Sequence, residues 1–164
     1  MTRSETATVT LPTDVQILIT REFDAPRDLV FKAFTTPELV KRWWHAKRGE
    51  MTVADIDLRV GGKWRYAMVA EGGTEVAFHG EYREIVPNER IVSTEIYEGV
   101  PQDEGAEHGT LNTATFTEAD GRTTLTILVE AASKEIRDAI IDSGMEEGLQ
   151  DALDLLEETA VSLR

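Results

Sequence analysis

Hydrophobic and polar residues alternate along most of the chain between residues 15 and 130, which is the pattern of strands that bury one face. The first strand starts at Val15, and Val15, Ile17 and Ile19 share one of its faces. Turn signals rich in glycine, proline and asparagine separate the later segments. Those segments, rich in β-branched and aromatic residues, are 51–60, 63–70, 75–86, 90–98, 110–117 and 123–130. The sequence therefore predicts seven strands, joined mostly by hairpins.

Two short helices are predicted between the first strand and the second. Hydrophobic residues at 29–34 have helical spacing, and Thr36 followed by Pro37 is typical of the cap and first position of a new helix. Trp43 and Trp44 close this second helix. Because helical neighbours point about 100° apart, we expect one tryptophan to anchor in the core while the other faces a cavity entrance, as a gate.

The C-terminal part of the chain is predicted to be helical in two pieces, 133–142 and a longer amphipathic helix after it. Ser143 and Glu146 have the spacing of a capping box, which predicts Ser143 as the cap of the long helix. This helix is the only predicted element long enough to cover the sheet. The pattern therefore indicates an α+β fold, in which a curved seven-stranded antiparallel sheet wraps around the helix and leaves an apolar cavity.

Length and pattern also predict how the 164 residues are divided. Residues 1–14 are polar and aperiodic, so we expect a loose leader followed by one domain over residues 15–164. The polar, acidic stretch 100–109 predicts a long, mobile loop. The sequence has neither a recognisable membrane span nor a signal peptide, so we expect a cytoplasmic protein without membrane insertion.

A cavity between sheet and helix predicts a lining of aromatic and flexible apolar side chains. The alternation places Trp64, Tyr66 and Met68 on one face of their strand. Gly148 lies at the edge of the apolar stripe of the long helix, where it either admits a strand closely or leaves room for a guest. Plain core packing is the alternative for each side chain. The candidate ligand-binding residues are Trp43, Trp44, Trp64, Tyr66, Met68, Phe78, Tyr82, Phe116, Met145, Gly148, Leu149 and Ala152.

Few residues suggest catalysis or metal binding. The sequence contains no cysteine, and its three histidines, His45, His79 and His108, are far apart. His79 is expected on the outer face of its strand, because it alternates with Phe78 and Tyr82. No triad pattern, phosphate-binding loop or dinucleotide fingerprint is present. The sequence therefore predicts no catalytic residue, no metal site and no cofactor.

The net charge of −14 has the wrong sign for binding to nucleic acid or to an anionic membrane surface. The charge is unevenly distributed: the first 65 residues carry 11 basic and 9 acidic side chains, whereas the remainder carries 6 and 22. Basic residues cluster at 41–48 and 59–65. This cluster is either a solvated face or the mouth of a site for an anionic head group. A monomer and a homodimer are both open.

Four motifs resemble those of the AHSA family, the homologues of the activator of the ninety-kilodalton heat-shock protein ATPase. In chain order they are ITREFDAPRDLVFKAFTTPELVKRWW at 19–44, DIDLRVGGKWRY at 55–66, FHGEYREIVPNERIV at 78–92 and SGMEEG at 143–148. The family belongs to the START-like (SRPBCC) superfamily, with the birch-pollen allergens and the polyketide cyclases. The resemblance covers about residues 15–163, and it implies a helix-grip fold with a hydrophobic cavity.

Three functions follow from this resemblance. The first, which we take as the leading hypothesis, is binding of a small hydrophobic or amphipathic ligand in the cavity. The second is a co-chaperone-like role in the stress response, with a heat-shock protein as the partner whose ATPase is stimulated. The third is an enzyme of the cyclase or dehydratase type that acts on an aromatic or polyketide-like substrate.

Overall fold

The computed structural model describes residues 7–99 and 109–164. Its strands are β1 (Thr8–Thr10), β2 (Gln16–Phe23), β3 (Gly49–Ile56), β4 (Lys63–Ala70), β5 (Glu75–Val86), β6 (Arg90–Tyr97), β7 (Thr110–Ala119) and β8 (Arg122–Ala131). They form one antiparallel sheet in the order β1-β2-β8-β7-β6-β5-β4-β3. From β3 to β8 each strand lies beside the next along the chain, as expected of hairpins. The loop predicted at 100–109 lies outside the described residues, except for Gly109.

The helices of the described residues fall into two pairs. Helices α1 (Arg27–Thr35) and α2 (Pro37–Val40) lie between β2 and β3 along the chain. Helices α3 (Lys134–Asp142) and α4 (Met145–Val161) follow β8. The predicted α+β class, the antiparallel sheet and the long C-terminal helix are therefore confirmed.

The predicted count of seven strands is wrong, because the expected loose leader contains a strand. Thr8–Thr10 pairs with residues 18–20 of β2 and gives the sheet its eighth strand. Helix α4 supports it: the N–H of Ala7 donates to Oε1 of Gln150 (2.9 Å), and Nε2 of Gln150 donates to the carbonyl oxygen of Ala7 (2.8 Å). Three residues are too few to reveal an alternation, and a contact so distant along the chain leaves no local signal.

The long helix does not begin on a serine cap. Gly144 precedes its first residue with a φ of +82°, a left-handed conformation that favours glycine. Ser143 instead closes α3, where its Oγ donates to the carbonyl oxygen of Ile140 at 2.6 Å. The predicted capping box is therefore wrong, and a glycine turn separates the two helices.

Helix α2 is shorter than predicted and ends before the two tryptophans. The N–H groups of Trp43 and Trp44 still donate to the carbonyl oxygen of Val40, at 3.1 and 3.0 Å, so the chain continues in helix-like turns. Ala46 and Lys47 then adopt left-handed backbone conformations, with φ of 53° and 63°. This turn redirects the chain into β3.

One face of the sheet, here called the inner face, carries the hydrophobic core. Cross-strand partners share a face, and Ile17 of β2 lies opposite Val129 of β8. These two residues are buried, and Leu153 and Leu156 of α4 belong to the same core. Helix α4 therefore belongs to the core that closes the β2 and β8 end of the inner face.

The inner face is less completely covered at β4 and β5. Tyr66 and Met68 of β4 and Phe78 of β5 share the inner face but are only half-buried, and of these Tyr66 and Phe78 pack against the core. We call this partly covered region of the inner face, over β4 to β6, the recess.

Candidate functional site

Five aromatic rings gather at the recess. Trp44 meets Tyr66 and Phe78 edge to face, with ring centroids 5.6 and 5.7 Å apart. Tyr66 also lies 4.8 Å from Trp64, and Phe78 lies 5.0 Å from Tyr97. The first two distances belong to a tryptophan outside the sheet, so the group joins the turn after α2 to the inner faces of β4 to β6. We call these five residues the recess aromatics.

Two other predicted site residues lie in a different aromatic group. Trp43 is 6% exposed, stacks on Phe34 at 5.6 Å and donates its indole N–H to the carbonyl oxygen of Ala33 at 2.9 Å. Phe116 is 1% exposed and packs edge-on against Phe31 and Phe34. In the described part of the chain, no ring contact joins this group to the recess aromatics. The two adjacent tryptophans thus have different surroundings: Trp43 is in the core and Trp44 is at the recess.

The predicted residues of the long helix differ in burial. Ala152 is buried, whereas Met145 and Leu149 are partly buried and pack against the core. Gly148 is different, because a Cβ placed there would have no heavy atom within 4 Å beyond its chain neighbours and its own helix backbone. A larger side chain therefore has room at this position of α4, and the role of Gly148 in ligand binding stays a prediction.

Gly80 of β5 allows Trp64, one of the recess aromatics, to pack closely against the backbone of the sheet. Trp64 lies across Gly80, and its indole N–H donates to the carbonyl oxygen of Thr94 at 3.2 Å. A Cβ at Gly80 would collide with that carbonyl oxygen and lie 2.6 Å from Nε1 of Trp64. Only glycine leaves this tryptophan its hydrogen bond.

Four polar residues form a compact block on the inner face of β6 and β7. The register places Glu95 opposite Thr110 and Ser93 opposite Asn112. Oγ1 of Thr110 donates to Oδ1 of Asn112 at 2.9 Å, and Nδ2 of Asn112 donates to Oε1 of Glu95 at 3.4 Å. We call Ser93, Glu95, Thr110 and Asn112 the polar block. It was not predicted from the sequence, because residues 93–95 are polar on both faces of β6 and give no sign of which face is inner.

The ionisable groups near the polar block are partly shielded from water. Burial raises the pKa of the Glu95 carboxyl, although the hydrogen bond from Asn112 offsets part of the rise. Burial also raises the pKa of Tyr82 to about 12. The pKa of Tyr66 is raised well above its usual value, first by burial and then by the nearby charges of Tyr82 and Glu95. The register joins the polar block to the recess, because Ser93 lies opposite Tyr82 and Glu95 shares the inner face of β6 with Tyr97.

The described histidines lie outside this arrangement. His79 is on the outer face of the sheet as expected, with its Nδ1 2.9 Å from Oε2 of Glu98. Nδ1 of His45 accepts from the N–H of Lys47 at 3.0 Å. His108 lies outside the described residues. Among residues 7–99 and 109–164, no three histidine, aspartate or glutamate side chains are placed to hold a metal ion.

A search of the described helices for an apolar segment long enough to cross a membrane finds none. No curated protein matches the chain in sequence.

Solved structures of similar fold come from several bacteria. A protein from Rhodobacter sphaeroides superimposes with a TM-score of 0.87 at 23% identity, covering 96% of this chain and 99% of its own. A protein from Mycobacterium smegmatis gives a TM-score of 0.80 at 26% identity, covering 93% and 95%. The AHSA1-like protein from Aeromonas hydrophila gives 0.64 at 20% identity, covering 89% and 93%. These likenesses support the helix-grip fold.

The family model described as "Activator of Hsp90 ATPase homolog 1-like protein" matches residues 24–160. This match spans most of the chain and includes the recess aromatics, the polar block and most of α4. The chain therefore belongs to the family of Activator of Hsp90 ATPase homolog 1-like proteins, as its sequence motifs predicted.

Proposed function

We propose that the protein binds a small amphipathic ligand, largely aromatic or hydrophobic, in the recess between the sheet and α4. The observation that carries this proposal is the group of half-buried aromatic side chains on the inner face, Trp44, Tyr66 and Phe78, at the less covered end of the core. A Cβ at Gly148 of α4 would meet no heavy atom within 4 Å, so the helix itself does not fill the space beside this residue.

The energetics favour a ligand there. Burying apolar surface yields about 25 cal/mol per Å², and Trp44, Tyr66 and Phe78 retain surface that the protein itself does not cover. At the β2 and β8 end, by contrast, Ile17, Phe23 and Leu125 have almost no surface left to bury. A ligand therefore gains most by binding against Trp44, Tyr66 and Phe78.

Uptake from a defined panel tests the proposal. The panel contains 2-naphthol, 2-naphthoic acid, 2-methylnaphthalene and lauric acid, each added to the purified protein and measured by isothermal titration calorimetry. We expect at least one compound to bind, and to shift the amide signals of β4 to β6 in two-dimensional NMR. Gly148→Phe is expected to abolish this binding, because the phenyl ring occupies the open space beside α4.

A matched control separates filling of the recess from general damage to the helix. Glu147→Phe introduces the same side chain one residue earlier, at an exposed position of α4. It is expected to bind the panel compounds as the wild-type protein does. Equal affinity in Gly148→Phe and Glu147→Phe counts against the recess as the binding site.

We also propose a second candidate function, stimulation of the ATPase of a heat-shock protein of the Hsp90 type, which is favoured by the family match over residues 24–160. The ATPase rate of Hsp90 with and without this protein tests it. An increased rate that Gly148→Phe leaves unchanged would assign that activity to a surface other than the recess.

A further inference from the structure

The polar block is unusual for the wall of a hydrophobic recess. Its four residues form two cross-strand pairs on adjacent strands, Glu95 with Thr110 and Ser93 with Asn112. The block contains a carboxyl group, an amide and two hydroxyls, and burial raises the pKa of the carboxyl. Polar groups in such a place need hydrogen-bond partners.

The internal hydrogen bonds of the block leave part of this need unmet. Nδ2 of Asn112 donates to Oε1 of Glu95, and Oγ1 of Thr110 donates to Oδ1 of Asn112. Within residues 7–99 and 109–164, Oε2 of Glu95 and Oγ of Ser93 have no hydrogen-bond partner. In that part of the chain, Nε of Arg21 is the only side-chain nitrogen or oxygen that is both inaccessible to solvent and without a hydrogen-bond partner. The register places Ser93 and Glu95 on the inner face, beside the recess.

The block adjoins the apolar part of the recess. Glu95 lies two residues before Tyr97 on the same face of β6, and the ring of Tyr97 is 5.0 Å from that of Phe78. The charge of Glu95 also raises the pKa of Tyr66. Ser93 is paired across the sheet with Tyr82, which is buried on the inner face of β5. A flat ligand packed on the recess aromatics therefore brings one end to Glu95 and Ser93.

We propose that the polar block binds the hydroxyl group of an aromatic alcohol or phenol, with Oε2 of Glu95 and Oγ of Ser93 as its hydrogen-bond partners. This inference rests on the proposed function of the recess. A hydroxyl both donates and accepts, so it pairs with Glu95 whether or not the carboxyl is ionised. An ionised Glu95 repels a carboxylate in the same place, and an apolar end leaves both protein oxygens without partners.

The proposal predicts an order of affinity for three probes of one shape. We expect 2-naphthol to bind at least about tenfold more tightly than 2-methylnaphthalene, the typical effect of a hydrogen bond to a charged group. 2-Naphthoic acid, ionised near neutral pH, is expected to bind more weakly than 2-naphthol by a similar factor. Isothermal titration calorimetry at a single pH gives all three constants.

Two substitutions of Glu95 separate hydrogen bonding from charge. Glu95→Leu removes both, so the preference for 2-naphthol over 2-methylnaphthalene is expected to disappear while 2-methylnaphthalene binds at least as well as before. Glu95→Gln keeps the hydrogen-bonding capacity and removes the charge, so 2-naphthoic acid is expected to gain affinity. The control is Glu81→Gln, which removes a charge from the outer face of β5, opposite Lys63, and is expected to leave all three constants unchanged.

The outcomes distinguish the two proposals. If the probes bind wild-type protein equally, or if the preference survives Glu95→Leu in a variant with a well-dispersed NMR spectrum, the polar block does not recognise the hydroxyl. If Gly148→Phe still abolishes binding of the probes in that case, the recess remains the proposed binding site. If none of the four panel compounds binds, both the proposed function and this inference are overturned, whereas binding of lauric acid alone overturns only this inference.

Discussion

Arg21 of β2 and Glu157 of α4 form an ion pair inside the protein, with 3.0 Å between Nη2 and Oε1 and side chains 0% and 4% exposed. Nη1 of Arg21 also contacts Oδ1 of Asp154 at 2.6 Å, and the N–H of Asp24 donates to Oε2 of Glu157 at 2.8 Å. These bonds tie the long helix to the β2 side of the sheet. Because α4 is held there, the less covered part of the inner face lies at β4 to β6.

Breaking this ion pair is expected to destabilise the fold strongly. Among residues 7–99 and 109–164, Glu157→Leu leaves Asp154 as the remaining carboxylate partner of the buried Arg21 guanidinium, and we expect a loss of about 3 kcal/mol in the free energy of unfolding. Denaturant unfolding measures it. The matched control is Arg59→Met, which breaks the exposed pair with Asp57 and is expected to cost less than about 1 kcal/mol. Equal losses in the two variants would contradict the role given to Glu157.

Glu95 predicts a distinctive dependence of stability on pH. Its pKa in the folded protein is raised, so the folded state retains the proton to a higher pH than the unfolded state does. The contribution of Glu95 to the free energy of unfolding is therefore largest below its unfolded pKa and is lost as pH rises through its folded pKa. Relative to wild type, Glu95→Gln should become more stable as pH is raised from about 4 to about 8.

Unfolding of both proteins across that range measures the difference. Glu84→Gln is the control of opposite sign, because Arg90 lowers the pKa of Glu84. The stability that Glu84 contributes is present above its unfolded pKa and is lost as pH falls through the folded pKa. A stability difference between wild type and Glu95→Gln that does not change with pH would show that Glu95 is hydrated like a surface carboxylate.

Replacing Gly80 and Gly148 by alanine is expected to change the free energy of unfolding in opposite directions. In Gly80→Ala the new methyl group collides with the carbonyl oxygen of Thr94 and crowds Nε1 of Trp64, so we expect a loss of about 2 kcal/mol or more. In Gly148→Ala the methyl group meets open space in a helix interior, so we expect a gain of about 0.5–1 kcal/mol. Thermal and denaturant unfolding of the two variants tests the pair. A stabilising Gly80→Ala would refute the packing described for Trp64.

The adjacent tryptophans should separate stability from ligand binding. Trp43→Ala removes a buried ring and its hydrogen bond to Ala33, so we expect a loss of about 3–5 kcal/mol. Trp44→Ala removes a half-buried ring at the recess, so it should cost clearly less stability but weaken the binding of the naphthalene probes. Comparable unfolding free energies for the two variants would mean that Trp44 is a core residue too.

Strands β2 to β8, and the inner faces of β4 and β5, could be predicted because alternation is local. The same holds for the two tryptophans: neighbours on a helix-like turn cannot face the same way, and Trp43 and Trp44 indeed lie in different groups. Strand β1 could not be predicted, because Ala7 is held by Gln150 from the opposite end of the chain. The prediction for the start of α4 was wrong because Ser143 has the sequence spacing of a cap, whereas its hydroxyl donates to the carbonyl oxygen of Ile140 in the preceding helix.

The polar block illustrates a different limit. Ser93 and Glu95 belong to a run that is polar on both faces of β6, so nothing in that run identifies the inner side. The pairing with Asn112 on β7 identifies it, and this register depends on the whole sheet. The raised pKa of Glu95 follows from that placement rather than from its neighbours in sequence.

Native mass spectrometry of the freshly purified protein, before and after incubation with the four-compound panel, tests the central claim most directly. The account predicts a one-to-one adduct with wild type and Glu147→Phe and no adduct with Gly148→Phe. The absence of any adduct with wild-type protein, or an equal adduct with Gly148→Phe, would contradict ligand binding in the recess.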